Sequence, residues 1–288
     1  ADLLRESSYW ADKMGRRKVG REAVEKALNE RKYLAGLPEE KMVEMISTGE
    51  INMLFSGRKI GTINGLAIHD RGYYSFGLPT VVSARVAPGN EGIINIEREV
   101  GLSGEIHDKW VLILEGYLRN KYAHSFPLSM YASLCFEQSY SEIDGDSASA
   151  AEVYALLSAV AETPFDQGIA VTGSVNQMGE IMPVGGISEK IEGFFSMCKL
   201  FGLKGSQGVL IPEKNRQNVM VNSDVREAIE SGKFHIYPIH TIDEGLEILT
   251  GMVSGSRSAR GVFPKDSINA HIEHRLKEMA NQVKNYSG

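Results

Sequence analysis

The stretch LSMYASLCFEQSYSEIDGDSASAAEVYALLSAVAETP, residues 128–164, changes its period halfway along. Leu128, Met130, Ala132, Leu134 and Phe136 alternate with Ser129, Tyr131, Ser133, Cys135 and Glu137, and a period of two marks a strand with one buried face. From about 147 to 162 the composition turns to Ala and Leu, which favour helix, and Pro164 ends it. Between the two, Asp144-Gly145-Asp146 is a turn, with Asp146 placed to cap the helix and Ser147 in its first turn. Unpaired backbone N–H groups at such a terminus, aided by the helix dipole, can hold a developing negative charge. A serine after a capping aspartate is nevertheless an ordinary way to start a helix. Ser147 becomes a nucleophile only if a base is within reach.

Working outward, the stretch divides two kinds of sequence. Upstream, short β-rich runs are separated by Gly, Asn and Pro: INMLF (51–55), GTINGLAIH (61–69), TVVSARVAP (80–88), GIINIE (92–97) and WVLILEGYL (110–118). Downstream, GIAVTGSV and EIMPVG flank NQMG as a hairpin, and Gly185-Gly186 opens a helix over 187–201 that Gly202 closes. Strand GVLIP, a helix near 224–231, strand FHIYPI and a helix at 242–250 continue an α/β alternation. Before all this, residues 2–14, 21–34 and the segment from Pro38 to Gly49 read as three helices. After Gly251, SGSRSARG is a polar linker and 266–284 a terminal helix. The expected architecture is α+β, a β-rich first half followed by α/β with a mixed sheet, preceded by a short helical segment. The domains fall at 1–48, 49–251 and 252–288, the last a linker and helical tail.

Composition narrows the function. Of the 288 residues, 42% are hydrophobic and 24% charged, enough to build a sizeable core. A net charge of −6 argues against nucleic acid as the main partner. Cys135 and Cys198 are the two cysteines, too few for a disulfide framework or a four-cysteine metal site, which fits the cytoplasm. No run of about 18 apolar residues suggests a membrane span.

Two bases compete for Ser147. Gly145-Asp146-Ser147-Ala148-Ser149 is a near miss to the G-x-S-x-G elbow, and that pattern would pair Ser147 with Asp224 and His240 in an α/β-hydrolase acting on small esters. Yet none of the seven histidines lies in a motif that aims it at Ser147, and His271 and His274 on the tail lack a further metal ligand. Lysine can serve if it is neutral, which requires its pKa to fall from about 10.4 towards about 7–8 through desolvation. Lys190, in GGISEKIEG, has Ile187, Ile191 and Phe194 as helical neighbours, while Glu189 and Glu192 point elsewhere. Both Ser147 and Lys190 read as solvent-reachable positions outside the core pattern.

Together, DGDSAS (144–149), VTGSVNQMGEIMPVGG (171–186) and EKIEG (189–193) resemble the proteolytic domain of the Lon family, most closely its LonB-type branch. The resemblance extends over about 60–250, through NGLAI, IINIEREVGLSGEIHDKWVLILEGYL, VLIPEKN and HTIDEGLEIL. Ser147 and Lys190 stand 43 residues apart, the spacing of the family's serine and lysine. The resemblance implies a serine endopeptidase with a Ser147–Lys190 dyad. It also implies that Thr172 orients the lysine and that Asp144 and Asp146 form an acidic loop able to gate the dyad. Unfolded polypeptides would be the substrates, and a homo-oligomeric ring, a hexamer in the family, the assembly. Residues 1–35 resemble the last helices of an AAA+ lid. With no phosphate-binding loop here, ATP and magnesium are expected only of an ATPase portion upstream, and this chain itself should need no cofactor. A catalytically silent assembly module is the non-enzymatic alternative.

Overall fold

The computed structural model describes residues 2–72, 74–140 and 142–286. Two compact units emerge, Ala1–Asn52 with Ile68–Phe76, and Met53–Ala67 with Gly77–Gly288. In the first, α1 (Asp2–Lys13), α2 (Arg21–Ala35) and α3 (Leu37–Thr48) follow one another. Ser7, Ala11, Ala23 and Ala27 are buried, and such small side chains let α1 and α2 approach closely. An Arg31–Glu6 ion pair with a 2.6 Å contact joins the same two helices.

The second unit is built on a seven-stranded mixed sheet. Its first half contains β1 (Arg58–Lys59), β2 (Thr62–Asp70), β3 (Ser75–Pro88), β4 (Gly92–Asn95), α4 (Ile96–Glu99), α5 (Glu105–Tyr122) and β5 (Met130–Phe136). The tips of β2 and β3, residues 68–76, belong to the first unit. Next come α6 (Ser149–Ala161), β6 (Phe165–Asp166), β7 (Ile169–Val171), β8 (Ser174–Val175), β9 (Ile181–Met182) and α7 (Ile187–Phe201). The chain continues through β10 (Gly208–Pro212), a 3-10 turn (Glu213–Asn218), α8 (Ser223–Glu230), β11 (His235–Ile239), α9 (Ile242–Thr250) and α10 (Ile268–Tyr286).

The sheet order is β11-β10-β7-β2-β3-β5-β4. Strands β2, β7, β10 and β11 run parallel, β5 is antiparallel to β3, and β4 is parallel to β5. Parallel neighbours need crossovers, and α7 and α8 supply them between β7 and β10 and between β10 and β11. A small antiparallel ribbon, β8 with β9, carries the NQMG turn.

Alternation along β5 falls as its sequence demands, with Met130, Ala132, Leu134 and Phe136 buried. Every residue of α6 from Ser149 to Val160 is buried, because a helix with apolar residues around its whole circumference belongs inside the core, where Ser149, Glu152 and Ser158 are its buried polar side chains. Around it, Leu114 and Leu118 of α5, Leu246 and Leu249 of α9, and Ile268, Ile272 and Leu276 of α10 join one hydrophobic cluster. Each such side chain contributes roughly 1.5–3 kcal/mol on burial.

Two β-rich runs are not strands. WVLILEGYL lies inside α5, where His107, Trp110, Val111, Leu114, Tyr117 and Leu118 are buried at steps of three and four. That period, with Glu105 and Asp108 in the first turn, overrides the β preference of the individual residues. INMLF forms no regular element; Phe55 turns inward to stack on Phe201. GIINIE is a strand only as far as Asn95, whose side chain then caps α4 by accepting from the Arg98 amide.

Candidate active site

Three segments meet where β7 ends. Thr172 and Gly173 follow β7 directly, Ser147 stands two residues before α6, and Lys190 is in the first turn of α7. Carboxyl ends of parallel strands are where open α/β sheets present their sites. The joint is tightly bonded. The Ser147 carbonyl accepts from the Gly173 amide at 2.9 Å and from the Thr172 hydroxyl at 3.2 Å. The Ala150 amide donates to the Gly173 carbonyl at 3.0 Å, and the Val175 amide to Ser149 Oγ at 3.0 Å. Thr172 is tied in turn to β10 by its amide, which donates to the Leu210 carbonyl.

Lys190 Nζ donates to Thr172 Oγ1 at 3.1 Å. Because the Thr172 hydroxyl gives its own proton to the Ser147 carbonyl, its lone pair is free to take this bond. Lys190 is only 2% exposed, so it is not the solvent-reachable residue its sequence position suggests. Its flanking Ile187, Ile191 and Phe194 are buried with it, and Glu189 is exposed. Burial pulls its pKa from 10.5 down to about 8, against the opposing pull of the Asp146 carboxylate. Ser147 is half-buried, and among the described residues no acceptor takes the amide hydrogens of Ser147 and Ala148.

The acidic turn is arranged differently from its sequence reading. Helix α6 begins at Ser149 with Ala148 at the cap position, so Ser147 precedes the first turn and Asp146 is no side-chain cap. The Asp146 carboxylate instead accepts from Ser174 Oγ at 2.6 Å. Asp144 is exposed and accepts from the Gly145 amide at 2.8 Å. Asp224 and His240 are not among the groups bonded around Ser147: Asp224 binds Lys199 at 2.8 Å, and His240 lies 3.6 Å from Glu244. Among the described residues no cluster of His, Cys, Asp and Glu could hold a metal ion, and no helix is long and apolar enough to cross a membrane.

Some contributors escaped the sequence reading. Ser149, Gly173 and Ser174 fasten the serine turn to β7 and β8, although nothing in their local pattern distinguishes them. Asn215, in the turn after β10, brackets Val184 just ahead of α7, accepting from its amide and donating to its carbonyl at 2.9 Å each. A polar side chain three positions past the apolar run GVLIP is its trace in the sequence.

The class follows from comparison with known families. Residues 140–251, which contain the serine turn, Thr172 and Lys190, match the Lon protease (S16) C-terminal proteolytic domain. Residues 1–33 match the AAA+ ATPase lid domain of archaeal LonB. The chain belongs to the Lon protease family. It is 41% identical over 231 residues to a Lon protease homolog of Escherichia coli, covering 78% of this chain and 39% of that protein. A Lon protease homolog of Haemophilus influenzae is 34% identical over 281 residues, covering 97% of this chain and 46% of that protein. The archaeal Lon protease of Pyrococcus abyssi is 32% identical over 250 residues, covering 85% and 23% respectively. The chain thus spans less than half the length of these relatives.

Proposed function

We propose that this chain is a serine endopeptidase in which Ser147 attacks the peptide carbonyl and Lys190 acts as its base. One observation carries the reading: a buried lysine with its pKa lowered to about 8 is hydrogen-bonded to Thr172, whose hydroxyl holds the Ser147 main chain. Neutral Lys190 takes the hydroxyl proton as Ser147 Oγ bonds to the carbonyl carbon. The resulting oxyanion is received by the free amides beside Ser147, a stabilisation worth roughly 3 kcal/mol per donor in acyl transfer. As the tetrahedral species collapses, the C–N bond breaks and Lys190 returns the proton to the leaving amine. Water, deprotonated by the same lysine, then hydrolyses the ester and regenerates Ser147. Thr172 orients the lysine between these steps, and the acidic Asp144–Asp146 turn is the proposed gate of the dyad, Asp146 pulling the lysine pKa back up against the larger effect of burial.

Unfolded polypeptides are the proposed substrates and a homo-oligomeric ring in the cytoplasm the proposed assembly. Lacking a phosphate-binding loop, the chain should need no ATP or magnesium. The experiment digests casein and a compact folded domain side by side, with and without ATP and magnesium, using wild type, Ser147→Ala and Lys190→Ala. Wild type should degrade casein at a rate indifferent to ATP, leave the folded domain intact, and label with a serine-reactive phosphonate; both variants should lose at least about 1000-fold. Activity retained by either variant removes the dyad, and absence of both turnover and labelling in the wild type favours a silent assembly module.

A further inference from the structure

The link from β7 into β8 grips the serine turn with three consecutive residues. Thr172 Oγ1 and the Gly173 amide both donate to the Ser147 carbonyl, at 3.2 and 2.9 Å, and Ser174 Oγ donates to Asp146 Oδ2 at 2.6 Å. The first two bonds fix the main chain. The third fixes an acidic side chain for which the proposed chemistry has no step. Its length is that of a charge-assisted O–H···O⁻ bond, about twice as strong as a neutral one. Ser174 is buried, whereas Asp146 is exposed, and among the described residues its carboxylate has no other hydrogen-bond or ion-pair partner. Without that hydroxyl the carboxylate is free to turn.

Lys190 is the cation within its reach. Nζ donates to Thr172 Oγ1 at 3.1 Å, and that hydroxyl donates to the carbonyl of Ser147, the residue next to Asp146. The ammonium and the acid thus stand two hydrogen bonds and one residue apart, yet no ion pair is formed between them. Other charged groups on the elements packed around the lysine are turned elsewhere. On α7, Glu189 is exposed, Glu192 accepts from the Asn222 amide at 2.7 Å, and Lys199 pairs with Asp224. On the turn after β10, Glu213 pairs with Arg216 and Lys214 is exposed. Strand β10 and Gly77 of β3 bring no charge, and Asp144 is exposed and accepts from the Gly145 amide. Asp146 alone acts on the charge of the buried lysine.

Resting on the reading of Ser147 and Lys190 as the dyad, we propose that Ser174 is a positioning residue: its hydroxyl latches the Asp146 carboxylate to β8 and so keeps it from pairing with the lysine. With the latch closed, Nζ has Thr172 Oγ1 as its partner and can lose its proton. With the latch open, the carboxylate competes with that hydroxyl for the ammonium, holds the proton on Lys190 and silences the base without displacing Ser147. The acidic turn is then a gate, and Ser174 is its catch.

The test reads the Lys190 proton directly, by NMR titration of its Cε signal in lysine-labelled protein, assigned by the loss of that signal in Lys190→Ala. The pH profiles of casein cleavage and phosphonate labelling are then compared with it. Ser174→Ala should raise the Lys190 midpoint from about 8 by about one pH unit, the effect of an opposite charge brought close. Cleavage and labelling should fall about tenfold at pH 7, and the gap should close on the alkaline plateau. Ser174→Thr, which keeps the hydroxyl, should titrate like wild type. Ser174→Ala combined with Asp146→Asn should bring the midpoint back to the wild-type value or below, because no carboxylate remains to be released. An unmoved midpoint in Ser174→Ala, a rise that persists in the double variant, a Ser174→Thr midpoint equal to that of Ser174→Ala, or a rate loss equal at every pH would each overturn the proposal. If Ser174→Ala does not fold, Ser174→Cys, which keeps the bulk with only a weak donor, takes its place under the same expectations. Ser147→Ala and Lys190→Ala are assayed alongside. Activity in either defeats the dyad reading itself, whereas the Lys190 titration needs no turnover and decides the latch separately.

Discussion

Lys190 shows how one residue can be costly to stability and useful to chemistry at once. A pKa of about 8 in the fold against 10.5 for the free side chain means that below pH 8 the buried ammonium is disfavoured by about 3 kcal/mol, at roughly 1.4 kcal/mol per pKa unit. Between those two values the unfolded chain binds the proton and the folded chain does not, so stability rises with pH across this window. Lys190→Met, which removes the charge but keeps an apolar stem, should therefore be more stable than wild type by about 1–3 kcal/mol at pH 7. The advantage should shrink above pH 8 and vanish near pH 10.5; denaturant titrations at pH 7, 9 and 10.5 measure it. The same proton governs catalysis with the same preference, since only neutral lysine is a base. Turnover should rise through about pH 8 and level off above it. A bell near pH 6–7 would point to a histidine base instead.

At the scale of elements, the lysine is placed by a close contact between α7 and β3. An added Cβ at Gly193 would lie 1.8 Å from the Gly77 carbonyl oxygen, and one at Gly77 would lie 2.2 Å from the Glu189 carbonyl oxygen and 2.6 Å from the Lys190 Cα. These are backbone atoms and cannot swing aside. Gly193→Ala should thus push α7 off the sheet, costing about 1–3 kcal/mol even though alanine is the better helix former by about 1 kcal/mol. Turnover should fall with it as Lys190 moves from Thr172. Gly185, just ahead of the same helix, has open space where its Cβ would be, so Gly185→Ala should leave both stability and turnover close to wild type. If the two variants behave alike in thermal melts and casein assays, the contact does not set the lysine.

For the whole molecule, the helix after the polar linker is a structural part of the second unit. Ile268, Ile272, Leu276 and Met279 of α10 are buried in the same cluster as α5 and α6, and Asn269 accepts from the Tyr122 hydroxyl at 2.6 Å. Ile272→Ala should cost about 2–5 kcal/mol, as large-to-small core changes do, and His271→Ala on the exposed face no more than about 0.5 kcal/mol. Equal midpoints for the two in urea would mean that α10 does not share the core.

Much was legible in order along the chain because it depends on near neighbours. The alternation at 130–136, the Ala-Leu helix, the glycine-closed helix at 187–201 and the parallel-sheet grammar after it are local patterns, and local sterics and burial enforce them. The residue types and spacing of Ser147, Thr172 and Lys190 were likewise present in the sequence. Where local signals conflict, the fold arbitrates: WVLILEGYL has strand-forming residues but a helical burial period, and the core selected the helix. Other features required the tertiary structure, because they join residues far apart in sequence. Lys190 looks like a surface lysine until β3 and α7 close over it, and only that desolvation brings its pKa to about 8. Asp146 looks like a helix cap until Ser174 comes within 2.6 Å. His107 and Glu152, 45 positions apart, come within 3.6 Å only because α5 and α6 share one core; no local pattern encodes a contact that the folding of the whole domain creates.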